Sequence, residues 1–191
     1  MSDYDSPWKE ALEVYFEPFL EFFFPDIHAD IDWGRRYEFL DKELQRIVRE
    51  GEVGRRVVDK LAKVGRASGQ KPWILMHVEV QTFKEADFAR RMYVYHTRLF
   101  HRYNSEVASL AVLGDDDPHW RPYRYVHRLW GVSTEFTFPV AKLLDYAPQA
   151  EALEQSGNPF AAFVLAHLKT LQTREAPQQR LLWKVRLVKG L

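Results

Sequence analysis

Apolar positions along the chain change period several times, and each change marks an element. Trp8, Leu12, Tyr15, Phe16, Phe19, Leu20 and Phe23 recur at helical spacing and form one aromatic face. Ser6-Pro7 supplies a capping hydroxyl and a proline at the first helical position. Pro18 falls inside this pattern and predicts a break near Tyr15, and Pro25 ends the segment. Residues 26–34 carry several carboxylates and predict a loop. From residue 37 to 48, Tyr37, Leu40, Leu44, Ile47 and Val48 fit helical spacing, whereas the alternation through Tyr37, Phe39 and Asp41 fits a strand less well. A helix is expected there, followed by a turn at Gly51 and Gly54.

Strand periodicity comes next. Residues 57–64 predict a strand, residues 66–72 a turn-rich loop, and residues 73–82 a second strand paired antiparallel to the first. In such a hairpin the start of one strand lies beside the end of the other, so Asp59 and Glu79 become neighbours. Ile74, Met76, Val78 and Val80 make one face of the second strand wholly apolar, while Trp73, Leu75, His77, Glu79 and Gln81 share the other. Phe88, Met92, Tyr95 and Leu99 then predict a helix over residues 85–103, whose other faces carry Arg90, Arg91, Arg98, His101 and Arg102. The continuously apolar run of residues 107–113 suits a strand covered on both faces. Strand, helix, strand in this order is a crossover unit, which sets the run parallel to the Glu79 strand. Asp115-Asp116-Asp117-Pro118 predicts a loop. Thr134, Phe136 and Phe138 alternate as in a strand, and residues 150–155, 160–171 and 180–191 have helical character, with Asn158-Pro159 as a helix start.

Composition narrows the class. A chain of 191 residues with 46% hydrophobic and 15% aromatic side chains suits one domain with a substantial core. Its 27 basic and 27 acidic side chains cancel, so any nucleic-acid contact must come from a local basic face. There is no cysteine, which excludes disulfides and thiolate metal sites and leaves oxygen and histidine as ligands. The acidic N-terminus lacks the basic start of a signal peptide, and no apolar run is long enough to cross a membrane. The expectation is a soluble, cytoplasmic protein.

A carboxylate on so apolar a strand as that of Glu79 needs a positive charge, several donors or a metal ion. Asp59 and Glu79, with the Val80 carbonyl as a further ligand, have the hard-oxygen chemistry of a Mg²⁺ site. An ion there could polarise a phosphoryl oxygen and acidify a bound water, with the Gln81 amide orienting that water. The alternative is that Asp59 pairs with Lys60, Lys63 or Arg56, and Glu79 with an arginine of the next helix. His77 shares the Glu79 face and is expected as a core or edge residue. Arg90, Arg91 and Arg98 either meet a nucleic-acid backbone or serve solubility. Asp115, Asp116 and Asp117 lack ligand spacing and are expected as a solvated turn.

The stretches 55–64 and 73–81, joined by Tyr4-Asp5-Ser6-Pro7-Trp8-Lys9, residues 22–28 and residues 37–44, resemble the PD-(D/E)XK nuclease-like family of bacterial transposase-related proteins, which includes the recombination-promoting nucleases. The likeness continues through residues 109–113 and 136–143, and so covers most of the chain. It implies an α/β fold with a restriction-endonuclease-like αβββαβ core over residues 1–146 and a helical C-terminal extension over 147–191, whose last helix, residues 180–191, reads as truncated. That core also wants a strand within residues 37–48. Asp59 matches the motif aspartate, Glu79 the acidic residue after it, and Gln81 the position usually held by lysine. Glutamine cannot bring positive charge to a transition state, so its role there is positioning. Glu13, or Glu10, matches the acid that many such proteins carry on the first helix. The implied activity is Mg²⁺- or Mn²⁺-dependent DNA cleavage, with a homodimer as one arrangement for cutting both strands. The alternative is a catalytically inactive nuclease-fold module that binds nucleic acid or protein.

Overall fold

The computed structural model describes residues 5–42, 44–45, 58–68 and 73–173. Helix α1 (Asp5–Val14) and helix α2 (Phe16–Phe23) are separated at Tyr15, as the proline predicts. The reason is steric: the Pro18 ring would collide with the Val14 carbonyl four residues back, so α1 ends there. Within α2, Pro18 falls in the first turn, where its missing N–H leaves no bond unmade. The loop expected over residues 26–34 begins instead with a short helix, α3 (Pro25–Ala29). Pro25 at the first helical position is preset for it, and the Phe24 carbonyl accepts from Ile27 and His28 at 3.0 and 2.9 Å.

The helix expected over residues 37–48 is corrected at its start. Strand β1 (Glu38–Phe39) pairs with Lys63 and Ala62, and Leu40 N–H reaches the Leu61 carbonyl at 2.7 Å. Phe39 is held by tertiary packing, its ring 5.3 Å from that of Phe16. Helical structure begins only after it, with Leu44 N–H on the Leu40 carbonyl at 3.0 Å. Residues 46–57, including the predicted turn at Gly51 and Gly54, lie outside the described residues.

Strands β2 (Val58–Gly65) and β3 (Trp73–Gln81) form the expected antiparallel pair. Helix α4 (Phe88–Tyr103) crosses to β4 (Val107–Leu113), which runs parallel to β3, and β7 (Val140–Lys142) runs parallel to β4. The result is an α/β protein with a five-stranded mixed sheet in the order β1-β2-β3-β4-β7. Asn104, in the left-handed conformation at φ 45°, ends α4 by donating its N–H to the Phe100 carbonyl.

Both faces of the sheet are covered. Met76, Val78, Val80, Leu110 and Val112 face α1, α2 and the C-terminal helices, packing on Leu12, Phe16, Phe19 and Leu20. On the other face Leu61 and Leu75 meet Leu99, while Ala111 and Leu113 meet Phe88 and Met92 of α4. After β7 come a 3-10 helix (Leu143–Gln149), α5 (Ala150–Glu154) and α6 (Pro159–Gln172). Asn158 caps α6 by accepting from Phe160 N–H at 3.0 Å and ties it to α2 by donating to the Pro18 carbonyl at 3.0 Å. Phe160 sits in the same aromatic cluster as Trp8, Phe19 and Phe23, so residues 147–173 pack within the main core. The helix predicted over residues 180–191 lies outside the described residues.

A separate two-stranded ribbon, β5 (Arg124–Leu129) and β6 (Val132–Thr137), lies against α4 through Tyr125 on Tyr93, with ring centroids 5.0 Å apart. Its two-residue turn, Trp130 at φ 47° and Gly131 at φ 86°, has the primed geometry that matches strand twist. The solvated turn expected at Asp115–Asp117 is also corrected. Asp115 is buried and pairs with the buried Lys142, while Asp117 holds Lys84 at 2.5 Å. That lysine draws the Asp117 carboxyl down to about 2.

Truncation of Phe19, fully buried against Phe23 and Phe160, should cost about 3–5 kcal/mol as Phe19→Ala, read from urea unfolding. Val14→Ala, at a side chain 67% exposed, should stay within about 0.5 kcal/mol of the parent.

Candidate functional site

Strand β3 is the middle of the sheet, and its alternation decides which side chains lie under α4. Leu75, His77, Glu79 and Gln81 fall on that side, and all four are buried. The register sets the Cα of Glu79 opposite that of Asp59 on β2 and beside Ala111 on β4, with Gln81 beside Leu113. The Asp59 side chain lies outside the described residues.

Helix α4 inserts Phe88, Met92, Tyr95 and Leu99 as its buried stripe. Arg91 sits on the flank of that stripe, and its guanidinium is the hub of the polar cluster. Its Nη2 lies 2.5 Å from Glu79 Oε1, 3.0 Å from Gln81 Oε1 and 2.9 Å from Glu85 Oε2. Gln81 is fixed at both ends of its amide, since the nitrogen donates to the Phe83 carbonyl at 2.8 Å and to Glu85 at 3.3 Å. The guanidinium also stands 5.3 Å from the Phe88 ring centroid, so one apolar anchor of α4 orients the charge beside it. One guanidinium is thus shared by two carboxylates, Glu79 and Glu85.

His77 is fully buried, and neither ring nitrogen has a hydrogen-bond partner. Its Nε2 lies 3.9 Å from Glu79 Oε2, beyond hydrogen-bond reach, and its ring meets Tyr95 edge-on at 5.8 Å. Burial first, then the charges of Arg91 and His96, push its pKa down to about 3, so the imidazole is neutral. His96 is itself held below its usual value by burial and meets Ser109 Oγ at 3.3 Å.

Other residues singled out in the sequence fall elsewhere. Glu13, 62% exposed at the end of α1, meets Lys60 Nζ at 3.2 Å, and Asp41 holds the same nitrogen at 2.6 Å. Lys60 pairs in register with Val78 and so lies on the α1 side of the sheet, across from Glu79. Glu13 and Glu79 are therefore not brought together. Glu10 is exposed on α1. Val80 turns its side chain into the α1 and α2 core. Arg90 is exposed, Arg98 is half-buried, and Arg91 belongs to the cluster on β3 rather than to the outer surface of α4. Lys63 lies over the Trp73 ring at 5.2 Å, and Arg56 is outside the described residues. Glu85 joins the site without having been singled out. Its place four residues after Gln81, at the lead-in to α4, is the signal that could have found it.

In kind, the Glu79 carboxylate and the His77 imidazole with its unpartnered nitrogens are donors suited to a divalent ion. Among the described residues, no third His, Cys, Asp or Glu completes a metal-ligating group.

Arg91→Met removes the cation from beneath α4 and should cost about 3–5 kcal/mol in urea unfolding, because it strands a buried carboxylate. Adding Glu79→Gln should restore most of the loss, whereas an undiminished loss in the double variant would show that the ion pair is not its source.

Compared with known proteins, the chain matches no family model, no curated protein and no solved structure.

Proposed function

We propose that the protein is a metal-dependent DNA endonuclease of the PD-(D/E)XK type, hydrolysing phosphodiester bonds in the manner of the recombination-associated nucleases. The observation that carries this reading is the register: Asp59 stands opposite Glu79 at the end of the central strand, two residues before Gln81, under a helix that brings in a cation. The succession β1, β2, β3, α4, β4 after the N-terminal helices supports a restriction-endonuclease-like core, with helical residues 41–42 and 44–45 as an addition between β1 and β2. In this reading Asp59, Glu79 and the Val80 carbonyl hold Mg²⁺ or Mn²⁺. When bound, the ion supplies Lewis acidity and an acidified water. Gln81 positions through its amide, which is already oriented by Phe83, Glu85 and Arg91. Arg91 supplies the positive charge that glutamine lacks at the lysine position, from the helix instead of the strand. Arg90 and Arg98 on α4 are the candidates for contact with the DNA backbone, and a homodimer would present two such sites to a duplex. Among the described residues no helix is long and apolar enough to cross a membrane, and a DNA substrate fits a cytoplasmic location.

A second reading, a catalytically inactive nuclease-fold module that binds nucleic acid or protein, is favoured by the same guanidinium. Arg91 already neutralises Glu79, fully buried, at 2.5 Å. Plasmid DNA separates the two. The endonuclease should nick or cut it with millimolar Mg²⁺ or Mn²⁺, and Glu79→Ala should abolish cleavage, so equal activity in that variant sinks the proposal. The endonuclease should also gain melting temperature with millimolar Mg²⁺, because an ion bound only by the native state stabilises it, whereas the inactive module should not.

A further inference from the structure

The His77 ring packs edge-on against Tyr95, but neither of its buried nitrogens has a hydrogen-bond partner. A buried polar group without a partner costs about 1–3 kcal/mol, and leucine of similar bulk would avoid that cost. Such a group in a core calls for an ion, a water or a chemical role. Nε2 lies 3.9 Å from Glu79 Oε2, while Oε1 of the same carboxylate faces Arg91. Two donors at that separation are too far apart to bond each other. They are close enough to share one ion, since nitrogen and oxygen ligands lie about 2.0–2.2 Å from a small divalent cation.

We propose that His77 Nε2 and Glu79 Oε2 together bind a first-row transition-metal ion, so that the site prefers Mn²⁺ or Co²⁺ to Mg²⁺. The inference rests on the metal site of the proposed endonuclease and names the ion class that site selects. A site of carboxylate and carbonyl oxygens alone suits Mg²⁺ as well as Mn²⁺, whereas an imidazole adds affinity for transition metals and little for Mg²⁺.

The test is Mn²⁺ binding to the purified full chain, followed by electron paramagnetic resonance, with nitrogen hyperfine coupling as the readout and Mg²⁺ as competitor. The expected result is one Mn²⁺ site with a directly bound nitrogen and an affinity at least about tenfold above that for Mg²⁺. His77→Leu should lose the coupling and the preference together, and Glu79→Gln should weaken both ions. The coupling is measured on the unaltered protein, so a variant that fails to fold does not remove the test. Mn²⁺ bound without nitrogen coupling overturns the role of His77 and leaves the Mg²⁺-dependent endonuclease standing. No binding of either ion at millimolar concentration overturns both. Nitrogen-coupled Mn²⁺ without DNA cleavage supports the metal site and overturns the endonuclease.

Discussion

A carboxylate stays charged beneath a helix only if a cation comes with it, and the contact between Glu79 and Arg91 is where the two halves of this fold meet that demand. Glu79 is on the central strand, covered by β2, β4 and α4, with no exposure to solvent. Its counter-charge comes from α4, so the helix can take only those rotations that bury Phe88, Met92, Tyr95 and Leu99 while turning Arg91 toward β3. Packing and electrostatics thus select the same orientation. Either alone would leave α4 freer to rotate or slide.

The same device recurs across the sheet. Lys60 on β2 is buried between Asp41 and Glu13, Lys142 on β7 is buried against Asp115, and Glu79 on β3 is buried against Arg91. Pairs of this kind add little net stability over well-packed hydrophobes, yet breaking one is expensive. Their effect is on register. A one-residue slip of a strand turns every side chain to the opposite face. Here a slip of β2 would bring Lys60 to the α4 side, away from both carboxylates, and a slip of β3 would drive Glu79 among Phe16, Phe19 and Leu12. Charged pairs on strands β2, β3 and β7 therefore penalise misalignments that an all-apolar sheet would tolerate.

What could be foreseen in the chain was whatever local chemistry decides. The break at Tyr15 follows from one proline ring, the β2–β3 pairing from a turn-rich loop between apolar runs, and the parallel β4 from an intervening helix. What could not be foreseen depends on distant partners. Phe39 has helical neighbours in sequence but is drawn into a strand by Ala62 and by the Phe16 ring. Asp115 belongs to a run that looks solvated until Lys142, 27 residues later, arrives beside it in the sheet. The candidate site shows the same division. The alternation along β3 put His77, Glu79 and Gln81 on one face, and an arginine of the next helix was one foreseeable partner for Glu79. Neither that Arg91 would take the role nor that Glu13 would lie across the sheet on Lys60 follows from spacing alone.

Gln81 brings these points together. A lysine at its position would carry its own charge on the strand and would have to be neutralised there. Glutamine instead accepts from Arg91 and donates to Glu85, so the charge beside Glu79 is delivered by α4 and held by an amide. The positive charge then depends on how α4 is seated, through Phe88 under the guanidinium and Met92 in the apolar layer next to it. A strand-borne lysine would couple the site to the sheet alone. The helix-borne arginine couples it to the sheet, the helix and the lead-in that carries the exposed Phe83 and the half-buried Glu85. Under the proposed endonuclease reading, contact of a DNA backbone with α4 or its lead-in would therefore act directly on the charge at Glu79.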